Sequence, residues 1–167
     1  LHNETLYGVT QLAAITSLAF QNISIGTEDH WRNYYRTLGI IRELERRFDA
    51  FEGNPELLNN VKAKLKILLA YKTFRTTDLF GDIPFFDAGK GFEDVSFVRP
   101  AFDSQESIYK FNLEELKWAV DNINLLEETA EGETYLTYGD FDNLFPELDL
   151  NLWIKFANSL RLRHAVR

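Results

Sequence analysis

Three aromatic residues at the start of a predicted helix, Trp31, Tyr34 and Tyr35, are the side chains best suited to hold a small ligand. Flat aromatic rings cover the apolar C–H face of a sugar and lose little conformational entropy in doing so. Trp31 and Tyr34 also fall on the hydrophobic stripe of that helix, which favours the core for both. Tyr35 lies off the stripe, so we expect it to be the more accessible to a ligand. We take Trp31 and Tyr35 as candidate ligand-binding residues.

Carboxylates are abundant, with 26 Asp and Glu, so composition allows a pair of acids for glycoside hydrolysis. One candidate pair is Asp78 with Asp82, and the other is Asp140 with Asp142. Asp82 lies in a turn, where an Asp side chain commonly accepts local backbone hydrogen bonds, so a structural role is favoured there. Residues 140–143 carry oxygen ligands at alternate positions, as at the start of a calcium loop, but lack its later Gly and Glu. A calcium ion near Asp140 and Asp142 is left open.

Other catalytic and metal-binding signatures are missing from the sequence. It contains no HExxH, GxSxG, GxxxxGK[ST] or GxGxxG motif. The three histidines, His2, His30 and His164, are far apart and have no partner at metal-ligand spacing. The absence of Cys excludes disulfides, thiolate metal sites and a Cys nucleophile within these residues. We therefore predict no catalytic residue, no metal and no cofactor.

The composition restricts the partners. The formal net charge of −8 and a pI near 4.9, without any basic tract, argue against nucleic acid as a partner. The longest apolar runs, such as residues 67–71, are too short to cross a bilayer. The sequence has no Met and begins at Leu1, so we expect a processed or partial piece of a longer chain.

The hydrophobic periodicity is helical along most of the chain and predicts an all-α fold. The clearest predicted helix has Thr27 as its N-cap and an apolar residue every three or four positions, with Arg42 among the charged residues off that face. The stripe comprises Trp31, Tyr34, Leu38, Ile41, Leu44, Phe48 and Phe51. A short link at 53–55 predicts an antiparallel hairpin with the next helix, which Gly81 caps. The predicted helices span about residues 3–21, 28–52, 55–79, 105–126 and 151–167.

Two long irregular segments, 81–104 and 127–150, separate these helices. Loops longer than about 12–15 residues are usually functional or disordered. The first contains five Phe between positions 85 and 102, so we expect an ordered loop that lies over the helices or faces a partner. Phe85, Phe86 and Phe92 are the candidate partner-interface residues. Asp103 with Glu106 forms a predicted capping box for the following helix.

Three stretches, in this order along the chain, resemble the SusD/RagB family, and most closely its SusD-like branch. The first is residues 62–84, which end in Gly81-Asp82-Ile83-Pro84. The second is residues 102–109. The third is the helical stretch of residues 153–167, Trp153-Ile154-Lys155-Phe156-Ala157-Asn158-Ser159-Leu160-Arg161-Leu162-Arg163-His164-Ala165-Val166-Arg167. The resemblance runs from about residue 31 to residue 167. The sequence does not repeat itself with a period of 34 residues, so it does not predict a plain tetratricopeptide array.

The resemblance implies tetratricopeptide-like helical hairpins with long irregular loops, and residues 1–167 as a single helical region of a larger SusD-like domain. It implies a surface lipoprotein of the outer membrane, held by a lipid anchor outside this chain. It further implies a nutrient-binding protein, not an enzyme, that binds an oligosaccharide or a peptide and partners a SusC-like TonB-dependent transporter. No ligand-binding residue carries over by motif.

Two alternatives to this interpretation stay open. One is a helical-repeat module that binds protein partners and has no small ligand. The other is a carboxylate enzyme such as an all-helical glycosidase, for which no facing pair of acids can be placed from the sequence.

Overall fold

The computed structural model describes residues 23–53, 55–125, 144–145 and 150–166. These residues form four α-helices and one short 3₁₀ turn, Val95–Val98. Within them, the β pairing is limited to an isolated antiparallel bridge between Ile83 and Asp103. The all-α prediction is confirmed, while the predicted helix at 3–21 lies outside the described residues. The helices are α1 (Ile23–Asp49), α2 (Pro55–Phe80), α3 (Gln105–Asn122) and α4 (Leu150–Ala165).

Consecutive helices run antiparallel. The start of α1 meets the end of α2, where the Tyr34 hydroxyl lies 3.1 Å from the Thr73 hydroxyl. The start of α2 meets the end of α3, where the Asn60 side chain donates to the carbonyl of Asn124 at 2.9 Å. The end of α4 returns to the start of α3, where the Tyr109 and His164 rings meet edge to face. The predicted α1–α2 hairpin is therefore confirmed.

The main core lies where α2, α3 and α4 meet. Small residues of α2, such as Ala63 and Ala70, are fully buried and allow close approach of the neighbouring helices. Phe74 is also fully buried, and its ring stacks on that of His164 with centroids 3.8 Å apart. Because α2 contacts all three other helices, it is buried on more than one side. The buried set comprises Ala63, Ile67, Ala70, Phe74, Leu116, Ala119, Ile123, Trp153, Ala157 and Leu160.

A second core lies between α1 and the long segment after α2. It confirms the central part of the predicted α1 stripe, since Tyr34, Leu38 and Ile41 are buried. The long segment contributes apolar residues of its own to this core. The buried set comprises Tyr34, Leu38, Ile41, Leu69, Ile83, Phe85, Ala88 and Ile108.

The predicted features of α1 need two corrections. Thr27 is not an N-cap, because the helix already begins at Ile23 and runs through residues 24–27. Arg42 was predicted on a solvated face, but it is only 8% exposed. Its guanidinium donates to the carbonyl of Phe85 at 3.1 Å and to the Glu45 carboxylate at 2.9 Å. The long segment packs on that face of α1 and so buries this arginine.

The predicted capping box at α3 is also wrong. Ser104 is the N-cap, and its hydroxyl accepts a hydrogen bond from the backbone N–H of Ser107 at 3.2 Å. The Asp103 carboxylate is engaged elsewhere, as described below. The predicted cap at the end of α2 is confirmed, since Gly81 has a φ of +76° and its N–H donates to the Thr77 carbonyl at 2.8 Å.

Candidate functional site

Trp31, Tyr35 and Phe80 form an aromatic cluster where the start of α1 meets the end of α2. The centroid of the Trp31 ring lies 4.7 Å from that of Tyr35 and 5.0 Å from that of Phe80. The Phe80 ring meets the indole edge to face, which is a favoured geometry for aromatic pairs. All three rings are half-buried. The Trp31 ring is thus fixed by its neighbours while part of it stays accessible.

Tyr35 has a structural bond that the sequence did not indicate. Its hydroxyl donates to the backbone carbonyl of Pro84 at 2.9 Å. Burial raises the pKa of Tyr35 above its usual value, so the hydroxyl stays a neutral donor. The preceding residue, Tyr34, is 3% exposed, and burial raises its pKa to about 12. Ligand binding by Trp31 and Tyr35 stays a prediction. Since both side chains are half-buried, only part of each is accessible to a ligand.

His30 borders the aromatic cluster and contributes to its electrostatics. Its Nε2 atom lies 3.0 Å from the Thr76 hydroxyl, and its ring lies beside that of Phe80. Burial lowers the pKa of His30, and the charges of Arg75 and Lys72 lower it further. The ring is therefore neutral at pH 7, and the hydrogen bond ties α1 to α2 beneath the cluster.

Residues 82–103, here called the strap, leave the end of α2 and return to the start of α3. The Asp103 carboxylate closes the strap by accepting hydrogen bonds from the backbone N–H groups of Phe85 and Phe86, at 2.8 and 3.0 Å. At the same place Ile83 and Asp103 exchange two backbone hydrogen bonds, of 3.2 and 3.0 Å. Asp82 accepts from the backbone N–H of Gln105 at 2.8 Å. Both ends of the strap are therefore joined to each other.

The strap is also held along α1. Tyr35 and Arg42 donate to the carbonyls of Pro84 and Phe85, respectively. Gly89 has a φ of +82°, and a Cβ atom at that position would lie 3.3 Å from the Cα of Gly39. Glycine therefore satisfies both the left-handed backbone and the close approach to α1. The expectation of an ordered loop that lies over the helices is confirmed.

The three candidate interface phenylalanines have different environments. Phe85 is 0% exposed, so its prediction as an interface residue is wrong: the strap turns its ring into the second core. Phe86 is half-buried and packs against the rings of Phe85 and Phe111. Phe92 is 48% exposed, and the Arg46 guanidinium lies 5.8 Å from the centre of its ring. Interface roles for Phe86 and Phe92 stay predictions.

Sequence reasoning missed the most exposed apolar side chains of the strap. Val95, Val98 and Phe102 are 83%, 67% and 67% exposed, close to Phe92 in the chain. Apolar side chains clustered on one surface segment often mark an interaction site. In the sequence these apolar residues are scattered among charged and polar residues in a segment without periodicity, so the pattern does not reveal which of them face solvent. We call Phe92, Val95, Val98 and Phe102 the apolar edge of the strap.

Of the two candidate acidic pairs, the structure describes Asp78 and Asp82, and both carboxylates accept hydrogen bonds from other parts of the fold. Asp78 accepts a hydrogen bond from the Tyr109 hydroxyl, and Asp82 holds the start of α3, so each has a structural partner. Asp140 and Asp142 lie outside the described residues. Among the side chains that the structure describes, no group of three or more His, Asp or Glu could hold a metal ion. Within the same ranges, no helix has the length and apolar content needed to cross a bilayer.

A family model described as SusD-like, "starch-binding associating with outer membrane", matches residues 6–167. The chain therefore belongs to this SusD-like family. Among solved structures, a chitin-binding protein is similar, with 26% sequence identity and a TM-score of 0.60. The match covers 84% of this chain and 26% of that protein, so this chain spans about a quarter of its length. None of the curated proteins matches this sequence.

Proposed function

We propose that this protein captures oligosaccharides at the outer membrane and delivers them to a SusC-like TonB-dependent transporter, without hydrolysing them. The observation that carries the proposal is the match of nearly the whole chain to a starch-binding family associated with the outer membrane. The similar solved structure is that of a chitin-binding protein, which supports a glycan as the ligand. A peptide ligand is the alternative outcome of the binding experiments.

The aromatic cluster supports sugar binding at the start of α1. Trp31 offers a partly exposed ring that Tyr35 and Phe80 hold in place. A fixed ring loses little entropy when it stacks on a pyranose, whereas a mobile ring would have to be ordered first. Trp31 is the contact residue in this proposal, and Tyr35 both supports it and anchors the strap.

The strap supports a protein partner. The apolar edge projects from a segment anchored by hydrogen bonds at both ends, so its four side chains are presented on a defined backbone. Preorganised apolar side chains of this kind suit a stable contact with another protein. We assign this edge to the transporter contact. Anchoring of the protein by a lipid is part of the same proposal.

Replacement of Trp31 by Ala tests the sugar contact. We expect the affinity for a neutral oligosaccharide such as maltohexaose or chitohexaose to fall about tenfold, because stacking surface worth roughly 1.4 kcal/mol is removed. Phe51→Ala is the matched control, since Phe51 is an exposed aromatic residue just beyond the other end of α1. Equal affinities for the two variants would contradict the assignment of Trp31.

Replacement of Val95 and Val98 by Ser tests the transporter contact. We expect co-purification with the transporter from solubilised outer membranes to be reduced, while glycan affinity stays unchanged. Leu162→Ser is the control, because Leu162 is 71% exposed on α4 and lies outside the strap. A protein that binds the transporter but no glycan would instead support the helical-repeat module.

A further inference from the structure

A cleft of about 380 Å³ lies between α1, α2 and α3, at the other end of the α1–α2 hairpin from the aromatic cluster. Its walls combine apolar and charged side chains from all three helices. Residue 48 on α1 is 17 positions from Trp31, which corresponds to about 25 Å along a helix. The cleft is therefore a separate feature from the Trp31 site. The lining residues used below are Glu45, Phe48, Leu65, Lys66, Glu115 and Trp118.

An ion pair forms one wall of this cleft. The ammonium of Lys66 on α2 is bonded to the carboxylate of Glu115 on α3, and the two side chains are 25% and 24% exposed. The same ammonium lies 5.1 Å from the centre of the Trp118 ring. Burial lowers the pKa of Lys66, while the charge of Glu45 opposes that shift. The pair is thus partly desolvated and held in place by an aromatic neighbour.

The chemistry of the pair matches that of a diol. An ammonium has three N–H donors and a carboxylate has two acceptor oxygens, so one mutual bond leaves further donors and acceptors available to the cleft. A pair of adjacent sugar hydroxyls can accept from the first and donate to the second. Hydrogen bonds to charged groups are stronger than those between neutral groups. The side chains of Phe48, Leu65 and Trp118 supply apolar surface for the C–H groups.

We propose that this cleft is a second glycan subsite that binds one or two pyranose rings of a neutral oligosaccharide through Lys66, Glu115 and Trp118. The inference rests on the proposed glycan-binding function and adds a site and a ligand class to it. The charges at the cleft are balanced: Glu45 is paired with Arg42 and Glu115 with Lys66, which leaves one further carboxylate, that of Asp49, and one further ammonium, that of Lys62. Because no surplus cation is left to pair with a uronate, the subsite favours neutral sugars.

The test compares two ion pairs on the same helix. Glu115→Gln removes the carboxylate charge in the cleft, whereas Glu106→Gln removes it from the solvent-exposed pair of Glu106 with Lys110. Removal of one partner of a partly buried ion pair costs stability, but Gln keeps an oxygen acceptor for the Lys66 ammonium and the charge of Glu45 still favours it, so the Glu115→Gln variant is expected to fold. Calorimetric titration of the purified protein with maltohexaose and chitohexaose measures the affinity of each variant. For the sugar that the wild type binds, we expect a roughly tenfold loss for Glu115→Gln and none for Glu106→Gln.

Substitutions of Trp118 provide a second measurement. Trp118→Ala is expected to lose about as much affinity as Glu115→Gln, whereas Trp118→Phe keeps a ring and retains most of it. Oligogalacturonate, the anionic probe, is expected to bind more weakly than the neutral sugars. Circular dichroism verifies that each variant has the helix content of the wild type.

The outcomes separate this inference from the proposed function. If the wild-type protein binds none of the sugars, both are wrong. If it binds a neutral sugar and Glu115→Gln and Trp118→Ala bind as well as Glu106→Gln, the second subsite alone is wrong. Binding of oligogalacturonate as tightly as the neutral sugars would overturn the proposed ligand class.

Discussion

Replacement of Asp103 by Ala tests how the strap is held. The Asp103 carboxylate accepts two backbone hydrogen bonds, from Phe85 at 2.8 Å and from Phe86 at 3.0 Å. Phe85 is fully buried, so its N–H is not expected to find water as a substitute partner without movement of the strap. The substitution therefore removes the acceptor that fixes the first turn of the strap against its last residue.

The expected loss follows from these contacts. A hydrogen bond to a charged group contributes about 1.5–3 kcal/mol, and the two bonds here share one carboxylate oxygen. The bonds from Tyr35 and Arg42 to the strap remain in the variant. We therefore expect a decrease of about 2–4 kcal/mol in the free energy of unfolding, which corresponds to a fall of roughly 5–12 °C in Tm for a chain of this size. Asp103→Asn keeps a neutral acceptor and should lose about half as much.

Thermal unfolding and amide hydrogen exchange measure this effect together. The Tm gives the loss of stability, and exchange of the Phe85 and Phe86 amides shows whether the strap opens locally. Asp94→Ala is the control, because Asp94 is an exposed carboxylate in the same segment that accepts a local hydrogen bond from the backbone N–H of Ser96. If Asp103→Ala lowers Tm no more than Asp94→Ala, and both amides keep their protection, the assignment of Asp103 as the strap anchor is wrong.

Three further substitutions test the packing and electrostatics of the fold. Phe74→Ala removes a fully buried ring from the main core and should lower the free energy of unfolding by about 3–5 kcal/mol in urea titration. Gly89→Ala places a Cβ at positive φ against α1 and should cost about 1–3 kcal/mol in the same assay. His30 has a folded-state pKa below its ordinary 6.5, so the folded state binds fewer protons and stability falls as the pH drops below that value. His30→Asn should therefore reduce the fall in Tm between pH 7.5 and pH 5, and an unchanged fall would contradict this role.

The helices could be predicted from the sequence because their stripes repeat every three or four residues. The ends of α2 are predicted within one residue, since Pro55 and Gly81 are local signals that act on their own neighbours. The predicted start of α1 is too late, because Thr27 is a residue type that favours the N-cap but lies inside the helix here. A capping residue predicts the end of a helix only where the residues beyond it cannot continue the helix.

The roles of Arg42, Asp82 and Asp103 could not be predicted in the same way. Arg42 bonds to Phe85, 43 positions away, and Asp82 bonds to Gln105, 23 positions away. Both bonds depend on the path of the strap, which has no periodicity to predict it. The same path decides that Phe85 is buried while Phe92 is exposed, although the two have the same side chain.

Only part of the candidate site could be predicted from the sequence. Trp31 and Tyr35 were identified by residue type, and the structure brings them together with Phe80, which is 49 positions from Trp31. The sequence could not indicate the cleft at Glu115, because its walls come from three helices whose packing is set by the buried faces of α2.

Calorimetric titration of the purified protein with neutral oligosaccharides, followed by chromatography of the recovered sugar, tests the central claim most directly. We predict saturable binding of at least one neutral oligosaccharide, which is weakened in Trp31→Ala, and recovery of the sugar at its original length. Absence of binding to every glycan offered would contradict the claim of a glycan-binding protein. Shortened products formed by the pure protein would contradict the claim that it binds without hydrolysis.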